Sequence, residues 1–266
     1  MKVLPPGTIL QLMYLRERLQ HRKPGRFIEI GPGSGEITRL LLDQGWSGWS
    51  YDLEEKTIDS LQARFAHEIA EKRFVPLNRD YLSSIPPEKV DLVISCMVME
   101  HLEDEAQISF MQKSADCLTE GGGMIGLVPA SPGHWGIEDD IAGHYRRYTR
   151  GAIEGLAAAE GWNLLHVAGL TFPISNLLLP ISNFLVDRSE RTKLSLSALE
   201  RTKHSGRRRV KFKTHFPSLF GLFLNEYTLL PLHLVQKIFK KSERALVLYF
   251  ELQPKIPSVN SRIDYP

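Results

Sequence analysis

Cysteine is nearly missing from this chain: Cys96 and Cys117 are the two thiols in 266 residues. Two such positions make neither a disulfide framework nor a thiolate metal cluster, so a stapled secreted scaffold is excluded and a reducing cytoplasm is expected. An excess of one charge is missing too, since 33 Lys and Arg face 31 Asp and Glu. A net charge of +2 sets up no chain-wide field for a polyanion, which disfavours nucleic acid as a partner. The first seven residues lack the ordered charged, apolar and small-residue regions of a signal peptide. Long hydrophobic runs are scarce. One long uncharged stretch, residues 167–186, could span a bilayer on length alone, but Pro173, Asn176, Pro180 and Asn183 interrupt it. That argues against a transmembrane helix and leaves an interfacial one open. No repeat, no low-complexity tract and no metal-ligand spacing is visible, so no metal is expected.

What is present is one globular domain's worth of apolar sequence, 42% hydrophobic and 24% charged, enough for a large core plus an insertion. The organising stretch is residues 26–35, RFIEIGPGSG, an apolar run that ends in Glu29 and Ile30 and opens into Gly31, Gly33 and Gly35. Glycines there let the chain turn tightly and bring its backbone against a ligand. A dinucleotide fingerprint would need a small residue where Glu36 stands, which weakens a dehydrogenase reading. Further strand-like runs follow at residues 46–51, 74–77, 90–95, 124–128 and 163–167, and a last one begins at Ala245. Between them lie amphipathic stretches. Ile37, Leu40 and Leu41 begin one helix, Ile58, Leu61, Phe65 and Ile69 another, and Ile108, Met111, Ala115 and Leu118 a third that the glycines at 121–123 should end. A leading helix carries Ile9, Leu12, Met13, Leu15 and Leu19, and Thr149 is placed to cap one ending at Gly161.

The order acid-x-Gly-x-Gly-x-Gly, then a strand ending in Asp52, resembles the class I S-adenosylmethionine-dependent methyltransferases. The resemblance implies an α/β fold: a Rossmann-like, doubly wound, seven-stranded, mostly parallel sheet. It also implies S-adenosylmethionine as cofactor, held by Glu29, Gly31, Gly33 and Gly35, by Asp52 and Leu53 at the ribose, and by Asp80 and Tyr81 at the adenine. Ser95, Cys96, Met97 and His101, after the fourth strand, would wall it. That strand ends in Ser-Cys-Met-Val rather than the Asn/Asp-Pro-Pro-aromatic sequence of amino-group methyltransferases, which favours an oxygen or carbon acceptor.

Acceptor contacts are expected in the loops beyond the fourth and fifth strands. The fifth-strand loop holds His134, Trp135, Asp139, Asp140 and then His144, Tyr145, Arg146, Arg147 and Tyr148, and its GHYRRYT sequence resembles one branch of the family. His144 is the first candidate for general base, with His101 and His134 behind it. The alternative use of Arg146 and Arg147 is to pair with Asp139 and Asp140 and hold a lid.

The domain boundaries follow. Residues 1–170 and 245–253 make the Rossmann-like domain, residues 171–244 a helical insertion before the last strand, and residues 254–266 a tail. The insertion departs from the family pattern. It has two apolar segments, 172–186 and 216–235, around a basic stretch, residues 187–215, with ten Lys and Arg against three Asp and Glu. A cap over a small or lipid-like acceptor, a homodimer surface and a peripheral membrane contact all suit it. The function expected is O-methylation of a small, lipid-like or glycan-linked metabolite. The rivals are a non-catalytic cofactor-binding interaction protein and an RNA methyltransferase using the basic stretch.

Overall fold

The computed structural model describes residues 3–196, 201, 210, 213–214 and 216–255. Strands β1 (Arg26–Ile30), β2 (Ser47–Asp52), β3 (Phe74–Asn78), β4 (Val90–Cys96), β5 (Leu118–Pro129), β6 (Trp162–Leu170) and β7 (Val247–Pro254) form one sheet in the order β3-β2-β1-β4-β5-β7-β6. The five on one side pair in parallel, whereas β7 lies antiparallel to β5 and to β6. This is the doubly wound seven-stranded sheet expected from the sequence.

Strand periodicity divides the core. Phe27, Leu92, Ile94, Ile125, Leu127 and Tyr249 face one side and pack with α1 (Pro6–Leu19), α2 (Glu36–Asp43) and α3 (Glu55–Arg64). Their neighbours Ile28, Val93, Met124, Val128, Leu248 and Phe250 face the other, against α5 (Asp104–Cys117) and α7 (Arg150–Ala159). The central strands are apolar at consecutive positions because helices cover both faces. The outermost helix is tied down electrostatically. Glu251 of β7 accepts hydrogen bonds from Arg18 of α1 (2.6 Å), from Arg22 just beyond that helix (2.8 Å) and from Tyr249 (2.6 Å).

Two local expectations are corrected. The apolar positions 58 to 69 do not make one helix: α3 stops at Arg64, Phe65 turns, and α4 (Ala66–Ala70) starts afresh. Phe65 stays fully buried across the break, so the spacing survived without the continuity. Nor do the glycines at 121–123 terminate α5, which ends at Cys117 and passes directly into β5. They lie within the strand at a register shift opposite Val90 and Leu92, and Gly121 takes a positive φ of 80° there. Thr149 caps α7 as expected, accepting from the Ala152 amide at 3.1 Å.

The insertion is helical where it is described. It contains α8 (Ile174–Glu190), a short 3-10 turn (Ser218–Leu222) and α9 (Glu226–Ile238), with α6 (Ile137–Ala142) of the preceding loop beside α8. Asn225 caps α9, accepting from the amides of Tyr227 and Thr228. Polar contacts seat α9 on α1: Gln236 donates to the Leu10 carbonyl at 2.9 Å, while His233 and Lys237 both reach Glu17. The basic residues Arg207, Arg208, Arg209 and Lys211, and the tail beyond residue 255, lie outside the described residues.

Candidate active site

Beyond the carboxyl ends of β1 and β4, where the sheet order reverses, lies a cavity of about 1000 Å³. In an open α/β sheet this is where ligands bind, because the loops leaving neighbouring strands diverge there. One side is the glycine turn. Gly31 and Gly33 both have positive φ, 67° and 53°, and both line the cavity. A Cβ on Gly31 would lie 2.6 Å from Val98, so the turn closes against the β4 loop only because no side chain is there. Gly35 differs from expectation. It does not line the cavity, and a Cβ there would meet Phe65 and Leu61 at 2.7 and 2.8 Å, so it serves the packing of α2 on α3.

Glu29 and Asp52 stand at adjacent strand ends. Glu29 is buried and accepts from the Thr38 hydroxyl at 2.5 Å; burial pushes its carboxyl up to about 7. Asp52 is also raised by burial, although its Oδ1 accepts from the Glu54 amide at 2.8 Å. Leu53, Asp80, Tyr81, Cys96, Met97 and His101 all line the same cavity. Met97 has a φ of 55°, an unfavourable conformation for a side-chain-bearing residue, and its amide is held by the Leu127 carbonyl at 2.8 Å. Ser95 departs from expectation: it is buried in the strand and does not reach the cavity.

The other side gathers five charged or titratable groups from two loops. His144 Nδ1 is 2.8 Å from Asp139 Oδ1, and Arg147 donates to the same oxygen at 2.8 Å. Burial opposes ionisation of Asp139, but the hydrogen bonds from His144 and Arg147 outweigh it and hold the carboxyl below its usual range. An anionic Asp139 fixes the proton on Nδ1 and turns Nε2 inward, toward Glu100 Oε1 at 3.8 Å. His101 stacks edge-on to His144 with ring centroids 4.7 Å apart, and burial followed by the neighbouring imidazole drives it down to about 3. Glu100, fully buried, is pushed up to about 7 by its burial.

His144 therefore lines the cavity, whereas His134 lies outside it, beside Asn176 at 3.4 Å. Asp139, Tyr145 and Arg147 line the cavity; Trp135, Asp140, Arg146 and Tyr148 do not. These four hold the loops. Trp135 donates to Asp140 (2.9 Å), and Arg146 bonds Asp104 (2.6 Å) rather than either loop acid. Tyr148 is buried with its hydroxyl on the Met99 carbonyl at 3.0 Å. Of the alternative arginine–acid pairings, Arg147 with Asp139 forms.

Leu178, Leu179 and Ile181 of α8 join Phe216 and Phe220 in forming apolar walls, from the two apolar segments expected as a cap, with Ser175 beside them. Gln11 and Leu12 of α1 also line the cavity, and sequence reasoning did not single out Gln11. Glu100, His101 and His144 are the described group suited to a metal, each offering a ligand atom within 4.8 Å of the others. No spacing rule could show this, because two loops supply it.

A family model described as a methyltransferase domain matches residues 9–167, more than half the chain. The protein belongs to the methyltransferase-domain family. The chain is 31% identical over 116 residues to a probable S-adenosylmethionine-dependent methyltransferase of Mycolicibacterium smegmatis, covering 42% of each protein. It spans less than half the length of the curated relatives it matches. Among solved structures, magnesium protoporphyrin IX methyltransferase from Synechocystis with bound S-adenosylhomocysteine aligns with a TM-score of 0.52 at 15% identity, over 62% of this chain and 77% of that one. A Burkholderia thailandensis 1,6-didemethyltoxoflavin-N1-methyltransferase gives 0.51 at 17%, over 63% and 73%. At these identities the likeness is one of fold.

S-adenosylmethionine is the family's methyl donor, and the residues present fit it. The turn at Gly31 and Gly33 leaves backbone exposed to the cavity, Asp52 offers an acceptor for ribose hydroxyls, and Asp80 one for the adenine amino group. When bound, the cofactor supplies an electrophilic methyl group. The protein's share is to align the acceptor and exclude water, and alignment alone is worth up to about 7–11 kcal/mol.

Proposed function

We propose that the enzyme transfers the methyl group to an oxygen of a lipid-like acceptor that enters through the insertion. The observation that carries this reading is one continuous cavity whose floor holds the cofactor loops and the His144 cluster and whose mouth is apolar. An acceptor hydroxyl must lose a proton as its oxygen bonds to carbon, and the cluster of Glu100, His101 and His144 is where that proton would be lost. A nitrogen acceptor with a free lone pair needs no such group.

The mouth supports the acceptor class. Leu178, Ile181 and Phe220 line the cavity and are also exposed, by 38%, 58% and 40%. Around them the outer faces stay apolar: Leu177 and Phe184 on α8, Leu219, Leu222 and Phe223 on the 3-10 turn, and Tyr227, Leu230, Leu234 and Ile238 on α9. The last four step by three, four and four, a single helical stripe. Exposed Lys240, Lys241 and Arg244 follow directly. An apolar face bordered by cations suits the surface of an anionic bilayer, where a lipid-like acceptor is concentrated. No helix among the described residues is long and apolar enough to cross it.

Sedimentation with vesicles, with and without anionic lipid, tests the contact. Binding that needs anionic lipid and weakens with salt is expected. A monodisperse dimer that ignores vesicles would assign the face to a second copy instead.

A further inference from the structure

Glu100 is the polar group that the fold explains least. It is fully buried at the cavity wall, and among the described residues neither carboxylate oxygen has a hydrogen-bond partner on another residue. Leaving such a group unsatisfied is costly, and protonation does not remove the cost, because a neutral carboxyl still carries an O–H to satisfy. Two imidazoles stand next to it, and the far side of each is engaged. His144 is bonded through Nδ1 to Asp139, which Arg147 and the Gly136 amide (2.9 Å) hold in turn; His101 is hydrogen-bonded to the backbone of Gly143. Imidazoles oriented by a carboxylate and by backbone behind them are how metal-binding histidines are held.

We propose that Glu100, His101 and His144 bind one divalent transition-metal ion on the acceptor side of the cavity. Two nitrogens and one carboxylate suit zinc, manganese, iron or cobalt, and three protein ligands leave a coordination position open. Ligand atoms about 2.0–2.2 Å from one ion at tetrahedral angles stand about 3.3–3.6 Å apart. The three atoms here, all within 4.8 Å of one another, must draw together by up to about 1 Å on binding, and the His144 to Glu100 separation of 3.8 Å is the nearest to that spacing already.

The inference rests on the oxygen-transfer reading and specifies how the proton is lost, with His144 serving as a ligand. The acceptor hydroxyl takes the open position, its O–H bond breaks, and the proton passes to water. The oxygen lone pair then bonds to the methyl carbon while the carbon–sulfur bond breaks, and that electron pair stays on sulfur to give S-adenosylhomocysteine. A bound ion lowers the pKa of coordinated water from about 16 to about 7, and a coordinated hydroxyl is acidified in the same sense.

The experiment is a titration of the metal-stripped full chain with zinc by calorimetry and with cobalt by visible absorbance. One ion per chain is expected. Glu100→Gln with His144→Ala should abolish uptake, and Asp139→Asn should weaken it about 10–100-fold through loss of the orienting carboxylate. His134→Ala, outside the cavity, should bind as the parent does, and circular dichroism checks that each variant folds. No stoichiometric uptake, or equal uptake by the folded double variant, overturns the proposal. Undiminished methyl transfer by metal-free protein in chelator overturns it too, yet leaves the transfer reading intact. Stoichiometric uptake without methylation of any acceptor sustains the metal site and removes the transfer reading.

Discussion

The sheet and the insertion bury apolar side chains to opposite degrees. Phe27, Ile28, Leu92, Val93, Ile94 and Met124 are wholly inaccessible, whereas Leu177, Ile181, Phe184, Tyr227 and Ile238 are each more than half exposed. Both regions are rich in the same residue types, so composition alone does not separate them. The difference is what each helix rests on: α2, α3, α5 and α7 have a sheet face beneath them, while α8 and α9 use one side on the domain and leave the other to solvent. Apolar surface that a monomer leaves uncovered in this amount points to a partner surface rather than to stability.

That comparison predicts unequal costs of mutation. Glu251→Ala leaves the partly exposed Arg18 and Arg22 and the buried Tyr249 hydroxyl without their acceptor and should destabilise the protein by about 3 kcal/mol in urea unfolding. Leu234→Ser, on the exposed stripe, should change stability by no more than about 0.5 kcal/mol yet weaken vesicle binding. Equal losses of stability would erase the distinction between the regions.

Next in size are changes at the cofactor loops. Gly33→Val adds a branched side chain at a φ of 53° within the cavity, and Asp52→Ala removes the ribose acceptor. Each should weaken S-adenosylmethionine by about 1.5–3 kcal/mol, roughly 10- to 100-fold, in calorimetric titration of folded protein. Unchanged affinity in both would remove the site assignment, and a nicotinamide cofactor should not compete.

A smaller effect concerns pH. Glu29 is raised to about 7 by burial, so it is neutral below that pH and ionised above it. Ionised Glu29 attracts the cationic donor, so S-adenosylmethionine affinity should rise a few-fold between pH 6 and 8. S-adenosylhomocysteine, without the sulfonium charge, should show a shallower rise, and Glu29→Gln should flatten the profile. A steeper rise for the product, which lacks the sulfonium, would contradict this assignment.

The sheet was readable in the sequence because each strand end carries its own local signal: glycines after Ile30, Asp52 after β2, the polar run from Asn78 to Asp80 after β3. Periodicity also located the helices, though it ran α3 and α4 together because Phe65 is buried whether or not the helix continues. The candidate site was half legible. Gly31, Gly33, Asp52, Asp80 and His144 announce themselves by type and position. The environment of Glu100 does not, since it takes the register of β4 against β5 to bring residue 100 beside residue 144. Trp135 and Arg146 look equally chemical in sequence, but tertiary contacts turn them away from the cavity. The insertion was the least legible. Apolar segments announce helices without saying which face meets the domain.

The most direct test follows a labelled methyl group. Protein with S-adenosylmethionine labelled at the methyl carbon, incubated with a lipid extract, should yield one labelled product that partitions into the apolar phase with the label bonded to oxygen. His144→Ala should abolish it, and Gly33→Val should reduce it at donor concentrations that saturate the parent protein. Donor that binds but is never consumed, or a label found on nitrogen, would contradict the account.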